Sequence, residues 1–246
     1  MIRILIADDH ALFRSGLRSF LAEALPTAVI GEAASGNDTL SALQRDHWNL
    51  LLLDTRAQGR SSGDWMSFGV AEAADVRAML DWLERTKRPS KIAVLGDSGG
   101  AAAAAKLART DQRISGLVLE SSHARLRNPL SQQAAEQPLF QPVALTLPIT
   151  MAAVWARTGA WLGDADPLDA IADLGDRPLA ISYGTKDGKD LPELNAQVLY
   201  DAALAAGVPV EMHACGGAEH GQVINRCPDA YRDWVNAFME RVLGES

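Results

Sequence analysis

A serine lies at the centre of the sequence Gly-Asp-Ser-Gly-Gly at residues 96–100. A short apolar run, Ile-Ala-Val-Leu, precedes it at 92–95, and an alanine run follows it at 101–105. This order predicts a strand, a sharp turn and a helix, with Ser98 at the turn and small residues at Gly96 and Gly100 letting the backbone pass closely. A serine held there can act as a nucleophile, and N–H groups at the start of the helix can stabilise the negative charge that develops on its substrate.

An acid and a base follow this serine along the chain. A serine hydroxyl is too weak an acid to ionise near neutral pH, so it needs a base with a pKa of about 7 within hydrogen-bond reach. His220, just after the last predicted strand, suits that role. Asp187, just after the preceding predicted strand, can fix the tautomer of that histidine and stabilise the imidazolium. Asp190 is a competing acid, and His213 is a competing base that we expect to be a packed or surface residue of the last strand.

The elements that must position these side chains alternate between strands and helices. Apolar runs predict strands at 2–7, 27–33, 48–53, 91–95, 114–120, 178–183 and 208–213, and helical periodicity predicts helices that include 11–25, 194–206 and 229–243. Such alternation without a linker predicts one α/β domain over residues 1–246, a three-layer sandwich with a mostly parallel sheet of about seven strands.

The chain from residue 54 onward resembles the α/β-hydrolases, in particular their esterase and serine-peptidase-like branch. The sequence Asp-Thr-Arg-Ala-Gln-Gly-Arg-Ser-Ser-Gly at 54–63 is similar to the D-x-R-x-x-G-x-S-x-G loop of that family. Ser98, Asp187 and His220 also follow the family's order of nucleophile, acid and base.

This resemblance implies a serine hydrolase that acts on carboxylic esters or small amides through an acyl-enzyme, without a cofactor or a metal. Gly184 precedes Asp187 at the family's spacing, which favours Asp187 over Asp190 as the acid. The family's oxyanion-binding site uses the N–H of the residue after the nucleophile, which is Gly99 in this chain.

Residues 1–54 resemble the start of a bacterial response-regulator receiver domain. The similar sequences are Ile-Leu-Ile-Ala-Asp-Asp-His at 4–10, Leu-Phe-Arg-Ser-Gly-Leu at 12–17, Gly-Glu-Ala at 31–33 and Leu-Leu-Leu-Leu-Asp at 50–54. The resemblance implies a flavodoxin-like start in which Asp8 and Asp9 hold Mg²⁺ and Asp54 accepts a phosphoryl group. No later predicted strand ends in the lysine that this chemistry requires, so we expect the acidic residues to be a structural remnant.

Asp54 belongs to both motifs, which places an apparent fusion point at the strand before it. We therefore divide the single domain into a receiver-like part, 1–54, and a hydrolase-like part, 55–246, and favour a recombined or engineered origin. The two resemblances imply a strand order near 2-1-3-4-5-6-7, because flavodoxin-like receivers begin in the order 2-1-3 and the hydrolase sheet repeats that winding about its nucleophile strand. In the alternative, the first strand lies directly beside the strand that precedes Ser98. Three hypotheses remain open: a serine hydrolase, a receiver-like phosphoacceptor or Mg²⁺-binding module, and a folded chimera without activity.

The second donor of the oxyanion-binding site is the weak point of the hydrolase hypothesis. Hydrolases usually place His-Gly in the loop after an earlier strand, whereas this chain offers Asp8, Asp9 and His10 if its first strand fills that place. Losing one oxyanion donor lowers the rate by about 10²–10³-fold, and two carboxylates would repel the oxyanion. We therefore expect an assembled Ser–His–Asp triad with weak or absent turnover.

Residues 124–163 interrupt the α/β alternation with four prolines, several large apolar residues and little charge. In a hydrolase this position holds the cap that covers the pocket and shapes the choice of acyl group. A plain helical core contact is the other interpretation, and the sequence leaves both open.

Composition excludes several classes of function. The chain has a formal net charge of −8 and no basic stripe, which argues against nucleic-acid binding. No apolar run approaches the roughly 20 residues that span a bilayer, and no signal peptide is evident, so a cytoplasmic protein with a small-molecule substrate is expected. Cys215 and Cys227 are therefore expected to be reduced thiols. Acyl-chain length and oligomeric state stay open.

Overall fold

The computed structural model describes residues 3–7, 11–24, 26–34, 38, 41–42, 45, 50–53, 55–57, 61, 63–127, 141–188 and 194–244. The strands in these ranges are β1 (Arg3–Ala7), β2 (Val29–Ala33), β3 (Leu50–Leu52), β4 (Ile92–Asp97), β5 (Ile114–Glu120), β6 (Leu179–Gly184) and β7 (Val210–Cys215). The α-helices are α1 (Ala11–Ala24), α2 (Glu72–Thr86), α3 (Gly99–Thr110), α4 (Gln141–Thr158), α5 (Ala196–Ala206), α6 (Val223–Arg226) and α7 (Pro228–Leu243).

The first of two compact units spans Met1–Met66 and contains a parallel sheet in the order β2-β1-β3. Ile4 of β1 lies opposite Ile30 of β2 and opposite Leu50 of β3. The side chains at 4–6 are at most 1% exposed, as expected of an apolar run in a central parallel strand. The order of these three strands is the one that the sequence predicted.

The second unit spans Ser67–Ser246 and contains a parallel sheet in the order β4-β5-β6-β7. Asp97 at the end of β4 lies opposite Glu120 of β5, and Glu120 lies opposite Ser182 of β6. The carboxyl ends of these strands therefore meet at one edge of the sheet, where a parallel sheet gathers its functional loops. Strand order within this unit also agrees with the prediction, whereas one continuous sheet of seven strands stays a prediction.

Helix α3 follows β4 and packs at very short range because its buried side is made of alanine. The side chains of residues 101–105 are at most 1% exposed. A Cβ at Gly69 would lie 2.7 Å from the backbone N of Ala103, so the loop before α2 approaches this helix more closely than a side chain allows. The Glu72 carboxylate holds the same loop by accepting hydrogen bonds from the Ser67 N–H (2.7 Å), the Ser67 hydroxyl (2.6 Å) and the Gly69 N–H (2.8 Å).

Helix α4 occupies part of the predicted cap at 124–163 and contains Pro148. Its Ile149 and Trp155 side chains are 70% and 55% exposed, so these two residues do not make a core contact. Two 3₁₀ helices, Leu162–Ala165 and Pro167–Leu174, lead back to the sheet and pack against α3 and α5. The role of the segment as a cap stays a prediction.

Helix α7 closes the second unit with the amphipathic pattern that the sequence predicted. Tyr231, Phe238 and Val242 are buried, and Trp234 and Met239 are half-buried against the same core. Val242 packs so closely that a Cβ at Gly116 of β5 would meet it at 2.7 Å. No helix in the described ranges is long and apolar enough to cross a bilayer.

The expectation of two reduced cysteines was wrong. Cys215, the last residue of β7, forms a disulfide with Cys227, and their Cα atoms lie 6.0 Å apart, within the usual range for this bond. The expectation rested on compartment alone, whereas the strand end and the start of α7 bring the two side chains together. Disulfides are uncommon in cytosolic proteins, and the cytoplasmic location stays a prediction.

Candidate active site

Ser98 lies on a strained turn between β4 and α3, as the sequence predicted. Its backbone has φ +51° and ψ −115°, a conformation that costs a non-glycine residue on the order of 1–3 kcal/mol. Two hydrogen-bonded anchors keep the turn in place. The Ser98 N–H donates to the Glu120 carbonyl (2.9 Å), and the Ser98 carbonyl accepts from the Ala101 N–H (3.1 Å). The hydroxyl is thereby presented at the carboxyl edge of the sheet.

Of the two glycines that the sequence assigned to close packing, only Gly96 needs to lack a side chain. A Cβ at Gly96 would lie 2.4 Å from the backbone oxygen of Gly100, a distance that real Cβ atoms do not show. A Cβ at Gly100 would meet nothing within 4 Å. Gly100 therefore contributes the backbone against which the strand packs, and its own small size is not required for space.

The loop that carries His220 is fastened to the end of β6. The Lys186 N–H donates to the Ala218 carbonyl (2.9 Å), and the Thr185 hydroxyl accepts from the Gly217 N–H (2.9 Å). A Cβ at Gly184 would lie 2.3 Å from the Ala218 oxygen, so glycine is required where the two loops cross. The Gly184 that precedes Asp187 in the sequence therefore has a physical role at this crossing.

Ser98, His220 and Asp187 form one chain of hydrogen bonds. His220 Nε2 lies 3.0 Å from Ser98 Oγ, and His220 Nδ1 lies 2.9 Å from Asp187 Oδ2. The carboxylate can only accept, so Nδ1 carries its proton and Nε2 is left to accept from the serine. The Asp187 side chain is fully buried, whereas that of His220 is 19% exposed. The structure thus brings together the three residues that the sequence selected.

The two competing residues have different outcomes. Asp190 lies outside the described residues. His213 lies within β7, where its ring stacks on Trp234 at 5.1 Å between centroids and tilts against Tyr231 at 6.2 Å. Burial lowers the pKa of His213 below its usual value. His213 is therefore a packed residue, one of the two outcomes that the sequence left open.

Glu120 and Tyr231 are neighbours of the triad to which the sequence assigned no role. Glu120 ends β5 and is buried, and its carboxyl group accepts a hydrogen bond from the Tyr231 hydroxyl. Burial raises the pKa of Glu120 to about 7, and the nearby Asp97 carboxyl group, whose own pKa is raised by desolvation, adds to this effect when it is ionised. The hydrogen bond from Tyr231 and the charge of His220 act in the opposite direction. In the sequence, the pair is indicated only by the run of polar residues that begins at the end of the buried strand β5.

His123 is a second buried titratable group near the triad. It is 4% exposed, and its Nε2 has no hydrogen-bond partner among the residues that the structure describes. Burial first, and then the charge of His220, lower the pKa of His123 to about 4, so its ring is neutral at neutral pH. The loop that contains it is fixed on both sides: the Ser121 hydroxyl accepts from the Gly221 N–H (3.0 Å), and the Ala124 N–H donates to Asn195 Oδ1 (2.8 Å).

The remaining candidates from the sequence are the receiver-like acidic site and the two oxyanion donors. Asp8, Asp9, His10 and Asp54 lie outside the described residues, so the receiver-like acidic site and the second oxyanion donor stay predictions. The N–H of Gly99 begins α3, where no intrahelical acceptor exists for it, which suits an oxyanion donor. No group of three or more metal-binding side chains occurs among the described residues.

Comparison with known proteins assigns the fold. A family profile described as "alpha/beta hydrolase fold" matches residues 31–146. The esterase Pf2001 of Pyrococcus furiosus superimposes on 99% of this chain and 83% of its own with a TM-score of 0.64, at 19% identity. The chain has the α/β-hydrolase fold. The acylaminoacyl peptidase of Pyrococcus horikoshii superimposes on 99% of this chain and 38% of its own with a TM-score of 0.56, at 13% identity.

Curated proteins add a different similarity. The response regulator UvrY of Escherichia coli (strain K12) is 29% identical over 100 residues, which are 40% of this chain and 46% of the relative. The response regulator GacA of Pseudomonas viridiflava is 27% identical over 143 residues, 58% of this chain and 65% of the relative. The chain thus spans about half to two thirds of the length of these relatives. The resemblance to two groups of proteins, expected from the motifs, is confirmed.

Proposed function

We propose that this protein is a serine hydrolase that cleaves small carboxylic esters, with small amides as a second substrate class. The observation that carries the proposal is the hydrogen-bonded chain from Ser98 Oγ through both ring nitrogens of His220 to the buried Asp187 carboxylate. Nucleophile, base and orienting acid stand at the separations that proton transfer needs in the ground state. The fold, and the esterase and peptidase among its structural neighbours, agree with the proposal.

The proposed reaction has two halves. His220 Nε2 takes the proton of Ser98 Oγ while that oxygen bonds to the carbonyl carbon, and the carbonyl π electrons move onto its oxygen. The Gly99 N–H stabilises this oxyanion, which collapses as the bond to the leaving alcohol breaks and His220 returns its proton to that alcohol. Water, deprotonated by the same histidine, then attacks the acyl-Ser98 ester, and the acid is released as the bond to Ser98 Oγ breaks and His220 returns the proton to that oxygen. Asp187 stays ionised and stabilises the imidazolium in both halves.

A receiver-like phosphoacceptor is the second candidate function, favoured by the similarity to response regulators. In this alternative Asp54 accepts a phosphoryl group with Mg²⁺ held by Asp8 and Asp9. A chain that does neither reaction is an inactive chimera. We retain the proposal of weak turnover, because the loop that would supply the second oxyanion donor carries two carboxylates.

A fluorophosphonate probe separates these candidates, because it phosphonylates only an activated serine and does not require turnover. We expect the purified protein to gain one phosphonyl group, which peptide mass mapping places on Ser98. Acetyl phosphate with Mg²⁺ is the matched reagent for Asp54. Labelling at Asp54 without labelling at Ser98 would replace the proposal by the receiver-like function, and no label at either residue would indicate the inactive chimera.

A further inference from the structure

Glu120 and its neighbour Ser121 join the two loops that carry the nucleophile and the base. The Glu120 backbone carbonyl accepts from the Ser98 N–H at 2.9 Å, so this residue holds the turn of the nucleophile. The next residue, Ser121, accepts from the Gly221 N–H at 3.0 Å and so holds the loop of the base. Tyr231 reaches the pair from α7, where its own N–H donates to the Cys227 carbonyl (2.9 Å).

The Glu120–Tyr231 pair has apolar side chains on one side and charged groups on the other. Tyr231 packs with Ala218 and Val223 against the disulfide, in a cluster beneath the His220 loop, and is itself 6% exposed. The exposed Asp97 carboxylate lies across from Glu120 on β4, and a Cβ at Gly221 would lie 3.6 Å from it. Glu120 therefore lies among apolar groups, yet within electrostatic range of His220.

Four titratable groups surround Glu120 and His220: Tyr231 on α7, Asp97 on β4, Asp187 after β6 and His123 in the loop after β5. Burial, followed by the charge of Glu120, raises the pKa of Tyr231 above its usual value, so the phenol stays a neutral donor. His123 is neutral at neutral pH because burial lowers its pKa to about 4. Glu120 is then the buried group whose charge changes close to neutral pH, since burial raises its pKa to about 7.

We propose that Glu120, held by the Tyr231 hydroxyl, is a positioning residue that sets the basicity of His220 through its charge and does not touch the substrate. The proposal rests on the function proposed above. Because the positive charge of His220 favours ionisation of Glu120, reciprocity requires that ionised Glu120 favours the imidazolium form of His220. The imidazolium is the form that accompanies the oxyanion, so an ionised Glu120 stabilises the transition state as well.

The test is a titration of the His220 imidazole by NMR in protein labelled with ¹⁵N-histidine, with His220→Asn used to assign the resonance. In Glu120→Gln, which keeps an acceptor for Tyr231, we expect the titration midpoint of His220 to fall by about 0.5–1 pH unit. A unit charge produces a shift of about one unit from about 12 Å away at an effective dielectric constant of about 20, and about half a unit from about 6 Å away in a medium as polar as water. Tyr231→Phe should lower the midpoint as well, because loss of its hydrogen bond leaves Glu120 protonated to higher pH. The exposed Glu84→Gln is the matched control and should leave the midpoint unchanged.

A second measurement reports the ionisation of Glu120 itself. The pKa of Glu120 is raised on folding from 4.5 to about 7, so its contribution to stability is present below pH 4.5 and is lost as the pH rises through about 7. We therefore expect Glu120→Gln to become more stable relative to the wild type as the pH rises through this window. If the His220 midpoint stays within 0.1 unit in both variants, or if it rises in Glu120→Gln, the pair is only structural and the proposal fails. Neither readout depends on the reactivity of Ser98, so failure of the fluorophosphonate to label Ser98 would overturn the proposed function without deciding this one.

Discussion

The variant Asp187→Asn is expected to react with a fluorophosphonate about 10³–10⁴-fold more slowly than the wild-type protein. The Asp187 carboxylate is fully buried and accepts a hydrogen bond from His220 Nδ1. An asparagine amide can instead donate to Nδ1, which moves the ring proton to Nε2. That nitrogen faces Ser98 at 3.0 Å and could then no longer accept the serine proton. The second-order rate constant of labelling measures the effect directly.

A matched control separates this effect from a general change of charge. Asp229→Asn alters an aspartate on α7 that is 82% exposed and pairs with Arg232 on the surface, so its labelling rate should equal that of the wild type. A labelling rate for Asp187→Asn within about tenfold of the wild type would contradict the assigned role. Asp190 would then be the acid to replace next.

The variant Gly96→Ala is expected to lower the free energy of unfolding by about 3 kcal/mol, at the upper end of the usual cost of overpacking. The new methyl group would lie 2.4 Å from the backbone oxygen of Gly100, which cannot move without displacing the start of α3. The strained turn at Ser98 lies between the two glycines, so the labelling rate should fall as well. Urea unfolding followed by circular dichroism gives the stability change.

Gly100→Ala is the matched variant for this prediction. It adds the same methyl group four residues away, where nothing lies within 4 Å. Alanine is also the better helix former by about 1 kcal/mol, so stability should be unchanged or raised. Equal losses of stability in the two variants would show that the close approach at Gly96 does not hold the turn together.

The catalytic candidates could be predicted from sequence because each depends on local chemistry. A short apolar strand, a turn made of small residues and an alanine helix can hardly form anything but the turn that presents Ser98. Gly184 marks a close crossing of two loops, and both Asp187 and His220 follow strands whose ends meet at one edge. The strand order 2-1-3 of the first unit was predictable from its resemblance to receiver domains, whose flavodoxin-like sheet begins in that order.

Contacts between distant parts of the chain could not be predicted in this way. Glu120 and Tyr231 are 111 residues apart and meet only because α7 packs back against β5. The disulfide was missed because the expectation used the compartment rather than the geometry of β7 and α7. The exposure of Trp155 on α4 could not be predicted either, because the sequence indicates an apolar helix but not what that helix packs against.

Trapping the acyl-enzyme is the most direct test of the central claim, that Ser98 is a nucleophile activated by His220. The protein is mixed with p-nitrophenyl acetate, quenched in acid within the first turnovers, digested and mapped by mass spectrometry. We predict one acetyl group on the peptide that contains Ser98, and none at any site in the Ser98→Ala variant, even if turnover is slow. Ester hydrolysis that persists in Ser98→Ala, or an acetyl group carried by another residue, would contradict the account.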